Sequence, residues 1–303
     1  MQGAAAGSDE EAAINGEVDL FACRAGAWQR YSIFQRIILM KALFLALWAF
    51  RHFIASSIRA DFKARFVRSR LGGLWMIINP LASAAIYAVV LSQVMAAKLP
   101  GNTDKAAYAI YLLSGMLAWS MFADVLGRST TLFIDNANLL KKVRFPRICL
   151  PAILVGSCLL NNLLLLGATL IVFVCLGHFP GIAALWVMPL IFVNLLFSAG
   201  LGLLIGVINV FARDVGQIIP VILQLLFWLT PIVYMPHILP GGLYSVIQWN
   251  PMYWMAQGYQ NALLFNVMPP LSQLAVVTVI ALVLMVTSLF LFRRASPEMV
   301  DVL

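Results

Sequence analysis

From Arg51 to Arg70 the apolar residues Ile54, Ile58, Phe62 and Phe66 recur at every fourth position, while His52, Arg59, Lys63 and Arg70 gather on one flank. That spacing makes one apolar ridge along a helix. Arg51 and Arg65 fall near the ridge, so their head groups have to bend toward water or lipid phosphates. The segment reads as a helix lying in a membrane interface. A basic anchor ahead of a first span has the same pattern. The preceding run, 37–50, is apolar but short and contains Lys41, so it reads as a second interfacial helix, with a full span as the alternative.

Long uncharged runs follow. Residues 71–97 contain no charge, open on Trp75 and carry a proline at Pro80, which predicts a kinked first span. Further spans are predicted over 106–127, 148–177, 182–212, 215–235 and 271–292, the last stopped by Arg293 and Arg294. Asp124 and Arg128 stand one helical turn apart near the end of the second span. They predict an i,i+4 ion pair, structural or tied to transport. Ser198, Ala199, Gly200, Gly202 and Gly206 predict close helix packing in the fourth.

Between 215 and 292 no Asp, Glu, Lys or Arg occurs, but proline and glycine divide the stretch. Asn250-Pro251 and Pro269-Pro270 bracket a helix too short and, with Gln257, Gln260, Asn261 and Asn266, too polar to cross. Residues 236–270 therefore read as re-entrant helix-and-turn segments at the outer face, which are tolerable at that depth only beside protein or a water-filled path. With six spans, nearly all the basic residues fall on the side of the N-terminus and only Lys98 and Lys105 fall opposite. This places both termini in the cytoplasm.

The fold class is thus an all-α polytopic membrane protein: six transmembrane helices, an N-terminal interfacial amphipathic helix and outer re-entrant helices. In domain terms, 1–22 is an acidic disordered tail, 23–70 interfacial helix, 71–294 the transmembrane domain and 295–303 a cytoplasmic tail. Composition agrees, because 62% of the 303 residues are hydrophobic and 11% charged, with a mean hydropathy of +0.93. The acidic N-terminus is the reverse of a signal peptide. The formal net charge of +8 comes from basic residues beside apolar runs, which suits lipid headgroups and gives no nucleic-acid motif. Cys23, Cys149, Cys158 and Cys175 lie singly, and His52, His178 and His237 lack ligand spacing, so neither a disulfide framework nor a metal site is expected.

Candidate chemistry is of a transporting kind. No GxxxxGK[ST] motif and no acid pair or Ser/His/Asp set suited to catalysis occurs, so the chain reads as a non-enzyme driven by a partner. The aromatics Tyr108, Tyr111, Trp119, Tyr234, Trp249, Tyr253, Trp254 and Tyr259 concentrate toward the outer half. They either offer ring faces along a transport path or form an interfacial belt. Leu139, Leu140, Val143 and Phe145, with Lys141, Lys142 and Arg144, make an apolar and basic loop that needs a cover or folds back on the span ends.

Four runs in order carry a resemblance: RADFKARFVRSRLGGLWMIINP, NLLKKVRFPRICLP, FARDVGQIIPVILQLLFWLTPIVYMP and WNPMYWMAQGYQNALL. They resemble the permease subunits of type-2 ABC exporters of O-antigen, capsule and teichoic acid. The resemblance implies a homodimer joined to two copies of a separate ATPase, exporting a lipid-linked polysaccharide across the bacterial plasma membrane. ATP and Mg would sit on the ATPase, with no cofactor in this chain. It further implies that Arg51 to Arg70 is the interface helix near which lipid-linked substrate enters. On that helix Arg59, Lys63, Arg65 and Arg68 are the residues expected to recruit its headgroup, and the aromatics above are expected to stack on sugar faces along a glycan pathway. Leu139 to Phe145 would couple to the ATPase, Arg213-Asp214 would make a second contact, and 236–270 would form outer gate helices. Gln260 departs from the family pattern, which often has Arg there, so no ionic contact is expected at that point. Rival readings are a type-2 exporter of a small drug or lipid, and a secondary transporter, which would need more buried ionisable groups.

Overall fold

The computed structural model describes residues 48–67, 74, 75, 78, 82, 86, 105–142, 145–236 and 241–302, and among them every regular element is helical. Residues through His52 and residues from Phe53 onward form two units. The elements are α1 (Arg51–Val67), α2 (Lys105–Asp135), α3 (Ala137–Lys142), α4 (Cys149–Cys175), α5 (Val187–Phe211), α6 (Val215–Leu229), α7 (Gly241–Ile247), α8 (Pro251–Gln260) and α9 (Leu271–Val302). A 3₁₀ turn over Ile182–Trp186 leads into α5 and a π turn over Asn261–Phe265 follows α8. The expected first span, 71–97, and the acidic tail lie outside the described residues apart from the few positions above.

Four of these helices are long and apolar enough to cross a membrane: Ala107–Asp135, Cys149–Cys175, Ile182–Phe211 and Leu271–Met299. Three departures from expectation have local causes. α2 does not end at 127 but runs on to Asp135, because its polar residues find partners within the protein. α6 stops at Leu229, so the expected fifth span is a helix of 15 residues, about 22 Å long and short of the hydrocarbon thickness. Thr230 is extended, as a residue before proline must be, and its hydroxyl returns to the Leu226 carbonyl at 2.7 Å. α9 does not stop at Arg293-Arg294 but stays helical to Val302, with Ala295 and Met299 buried.

α2 lies at the centre. Three asparagines of its neighbours donate to its backbone carbonyls: Asn162 to Leu117 at 3.1 Å, Asn194 to Ala118 at 2.8 Å and Asn209 to Thr130 at 2.7 Å. Its own hydroxyls bond back one turn, Ser114 to Ile110 and Thr130 to Leu126. In an apolar surrounding each such polar group has to be satisfied within the protein. The small residues of α5 are used on two sides. A Cβ at Gly202 would lie 2.6 Å from the Ser129 hydroxyl of α2, one at Gly206 would meet the Ser129 carbonyl, and one at Gly200 would lie 2.8 Å from the Met285 amide of α9. Close backbone approach is what those glycines permit.

Pro251 opens α8 at the bracket the sequence predicts, and the Asn250 side chain caps it by accepting from the Met252 amide at 3.0 Å. After the π turn Asn266 adopts a left-handed conformation, φ +51°, ahead of Pro269-Pro270. Its side-chain oxygen accepts from the Ala183 amide at 3.1 Å, and His178 Nε2 lies 2.8 Å from the Leu263 carbonyl. The α4–α5 connection is thereby tied to the end of the α8 segment.

Candidate functional site

The charged end of the molecule gathers α1, α3, the start of α4 and the end of α9. α3 is a single short helix on which Leu139 and Lys141 are exposed and Leu140 is half-buried. Lys142 closes it, while Val143 and Arg144 lie outside the described residues. Phe145 is half-buried, and its ring meets that of Phe53 on α1 with centroids 5.8 Å apart. Arg147 donates to both the carbonyl and the hydroxyl oxygen of Ser296 on α9, the latter at 2.8 Å. One ring of helices away, Phe133 of α2 stacks on Phe292 of α9 at 5.5 Å. Phe145 is thus held against α1 and Arg147 against α9. Arg213 and Asp214 form an exposed turn between α5 and α6, as the sequence predicts, and Asn209 caps it by accepting from the Gly216 amide at 2.8 Å.

α1 presents Arg59 and Lys63 as exposed side chains. Arg65 lies farther along the same helix, and Arg68 falls outside the described residues. The less exposed stripe is Ile54, Ser57, Ile58 and Asp61, at i, i+3, i+4 and i+7. Ile58 fills the space left by the missing side chain of Gly156 on α4. Arg51, which had to turn away from the ridge, places its guanidinium over the Trp48 ring at 5.2 Å and donates to the Trp48 carbonyl at 3.1 Å.

The expected ion pair of Asp124 with Arg128 is not what forms. Arg128 instead pairs with Asp61 of α1 at 2.9 Å, and its other terminal nitrogen lies 3.4 Å from the Cys158 sulfur of α4. Asp124 accepts from Asn161 of α4 at 3.4 Å. The i,i+4 spacing is satisfied in sequence, but a docked helix delivers a carboxylate 67 positions away to the same guanidinium. No local signal points to Asp61 or Asn161 as partners, beyond Asp61 being the single acid in a basic helix.

The aromatic set divides. Tyr108, Tyr111, Trp119, Tyr253 and Tyr259, expected along a glycan pathway or in an interfacial belt, are buried within the chain. Tyr108 donates to the Val233 carbonyl at 2.6 Å, and Tyr111 lies 3.3 Å from the carbonyls of Pro231 and Tyr234, so both hold the turn after α6 against α2. Trp119 packs on Phe122 and Phe227 at 5.4 and 5.6 Å. Trp249 is 89% exposed, whereas Tyr234 and Trp254 are half-buried. Tyr234 donates to the Trp228 carbonyl at 2.9 Å and Trp254 to the Gln248 carbonyl at 2.8 Å. Gln260, at the point of departure from the family pattern, is buried in the α8 face toward Gly115.

Among curated proteins the chain is 28% identical over 244 residues to the "O-antigen export system permease protein RfbA" of Klebsiella pneumoniae, covering 80% of this chain and 92% of that one. It is 29% identical over 253 residues to the protein of the same name from Myxococcus xanthus, covering 82% and 95%. The "Polysialic acid transport protein KpsM" of Escherichia coli is 22% identical over 248 residues, covering 79% and 92%. Residues 52–264, from the first turn of α1 to the π turn after α8, match the pattern of ABC-2 type transporters, and the chain belongs to that family.

Proposed function

We propose that this chain is the membrane permease subunit of an ATP-driven exporter that moves a lipid-linked polysaccharide across the bacterial plasma membrane. The observation that carries this reading is the near full-length similarity to two proteins named as O-antigen export permeases and a third named for polysialic acid transport. Four helices of spanning length agree with a multi-pass membrane protein. The chain works as a homodimer with two copies of a separate ATPase, on which ATP and Mg are bound. The charged end, with Arg147, Arg213, Arg293 and Arg294, faces the cytoplasm together with both termini.

In this reading α3 docks on the ATPase. Leu139 supplies the apolar contact and Lys141 steers association from the rim. Arg213-Asp214 makes the second contact. Arg59, Lys63, Arg65 and Arg68 attract the anionic headgroup of the carrier lipid to α1. Residues 236–270 gate the outer face, where Trp249, Tyr234 and Trp254 are the aromatics that remain for sugar stacking. Six spans in all are proposed, the two beyond the four long helices being drawn from the sequence ranges 71–97 and 215–235.

Depletion of the chain in its host tests the reading. Surface polysaccharide is expected to disappear while its lipid-linked form accumulates inside, both read by gel staining and mass spectrometry of cell fractions. Unchanged surface glycan, with altered sensitivity to a drug or altered export of a small lipid, would transfer the assignment to the rival class of type-2 exporter.

A further inference from the structure

We infer that Phe53, Asp61 and Arg128 are positioning residues that make α1 a releasable arm: displacement of the segment ending at Phe145 pulls on Phe53, lifts Ile58 from Gly156 and parts Asp61 from Arg128 in each transport cycle. The inference rests on the reading of α3 as the element that faces the ATPase. Its geometry is independent of that reading. Among the described residues α1 is held at two places about 12 Å apart along its axis, counting eight residues from Phe53 to Asp61. At its first turn Phe53 meets Phe145, the residue on which the coupling segment ends. About one and a half turns later Ile58 seats at Gly156, and after about two turns Asp61 reaches Arg128. A push on the coupling segment therefore reaches the helix at one end and is resisted at the other.

The second attachment has the build of a contact that opens. Arg128 and Asp61 keep 27% and 34% of their side-chain surface exposed, so the pair sits at the edge of the packing and can part without opening the core. Among the described residues a side chain at Gly156 would meet only the Ile58 side chain, and no backbone. The rest of the first three turns, including Ala55, Ser56, Arg59 and Ala60, is exposed. Because Arg59 and Lys63 ride on the same helix, a movement of α1 carries the basic residues proposed to hold a lipid headgroup. Energy from the ATPase is thus passed to the place of substrate uptake as well as to the spanning helices.

The test uses the complex of the chain with its copurifying ATPase in membranes, in a form whose four native cysteines are alanine. Ile58→Cys and Gly156→Cys are introduced together; the Ile58 Cγ1 atom lies 3.3 Å from a Cβ built at Gly156, which puts the two sulfurs within bonding reach. Disulfide formation is expected to slow about tenfold on trapping with ATP and vanadate, and oxidation is expected to stop export until a reductant restores it. Adding Phe53→Ala should abolish the effect of ATP on the cross-linking rate while leaving the disulfide able to form. As a second arm that avoids the paired cysteines, Asp61→Asn should raise maleimide labelling of a lone Ile58→Cys. A cross-linking rate indifferent to ATP, export unaffected by the closed disulfide, or labelling unaffected by Asp61→Asn would each overturn the inference. The cross-linking and labelling arms need no glycan assay, so a chain that exports something else still answers them, and failure of any ATPase to copurify would count against the proposed function instead.

Discussion

At Gly206 the group facing the missing side chain is the Ser129 carbonyl of α2; at Gly156 it is the tip of Ile58 on α1. Both glycines let a helix come close, yet they build different joints. The α2–α5 seam is backbone against backbone, reinforced by Asn194 and Asn209 donating to α2 carbonyls, and neither side has room to yield. Among the described residues the seat of α1 shows one flexible side chain, one partly exposed ion pair and one tilted aromatic contact. Such a pair contributes about 0–1 kcal/mol and such an aromatic contact about 0.5–1.5 kcal/mol. The first joint fixes the transmembrane core, while the second can be made and broken within a catalytic cycle.

The comparison breaks most visibly at the rigid joint. Gly206→Leu forces a branched side chain into a backbone carbonyl, and overpacking without relief costs about 3 kcal/mol or more. The yield of folded chain on size-exclusion chromatography should collapse. A folded variant with normal yield would mean that α2 and α5 have slack at that level.

Leu139→Asp probes the charged end without touching either joint, because Leu139 is exposed on α3. The chain should elute as before but retain the ATPase poorly, with a loss of about 2 kcal/mol in binding if Leu139 is a central anchor of the dock. Retention at the original level would show that α3 is not the docking element. Phe145, by contrast, is engaged with Phe53, so its substitution reports on α1 as well as on the ATPase.

The smallest effect belongs to the yielding joint. Gly156→Ala asks Ile58 to rotate, and the helix propensity gained, about 0.8–1 kcal/mol, offsets what the shift costs. Melting temperature should be nearly unchanged while labelling of a cysteine placed in α1 rises. A fall in melting temperature like that of the Gly206 variants would erase the distinction between the two joints.

Much of this was legible in the amino-acid order because membrane helices announce themselves. Uncharged runs gave α4, α5 and α9 near their observed starts, the glycine cluster marked the tight seam, and Asn250-Pro251 placed the start of α8. Charge was a poorer guide to helix ends, since Asp124 and Arg128 sit inside α2 and Arg293-Arg294 inside α9. In α2 the charges end an apolar run without ending the helix because Asp61 and Asn161 pair with them. The partner choices were not readable at all. Asp61 lies far from Arg128 in sequence, and the burial of Tyr108, Tyr111, Tyr253 and Tyr259 depends on which helix faces each ring inside the bundle. Composition identifies an aromatic-rich half but not which rings are sealed inside it.

The most direct test of the account is transport itself. The chain and its ATPase, copurified and reconstituted in proteoliposomes, are supplied with lipid-linked polysaccharide on the ATPase-accessible side, and glycan protected inside the vesicle is measured with and without ATP. The account predicts ATP-dependent accumulation that is lost when Leu139→Asp releases the ATPase. Equal protection with and without ATP, from a complex that hydrolyses ATP normally, would contradict it.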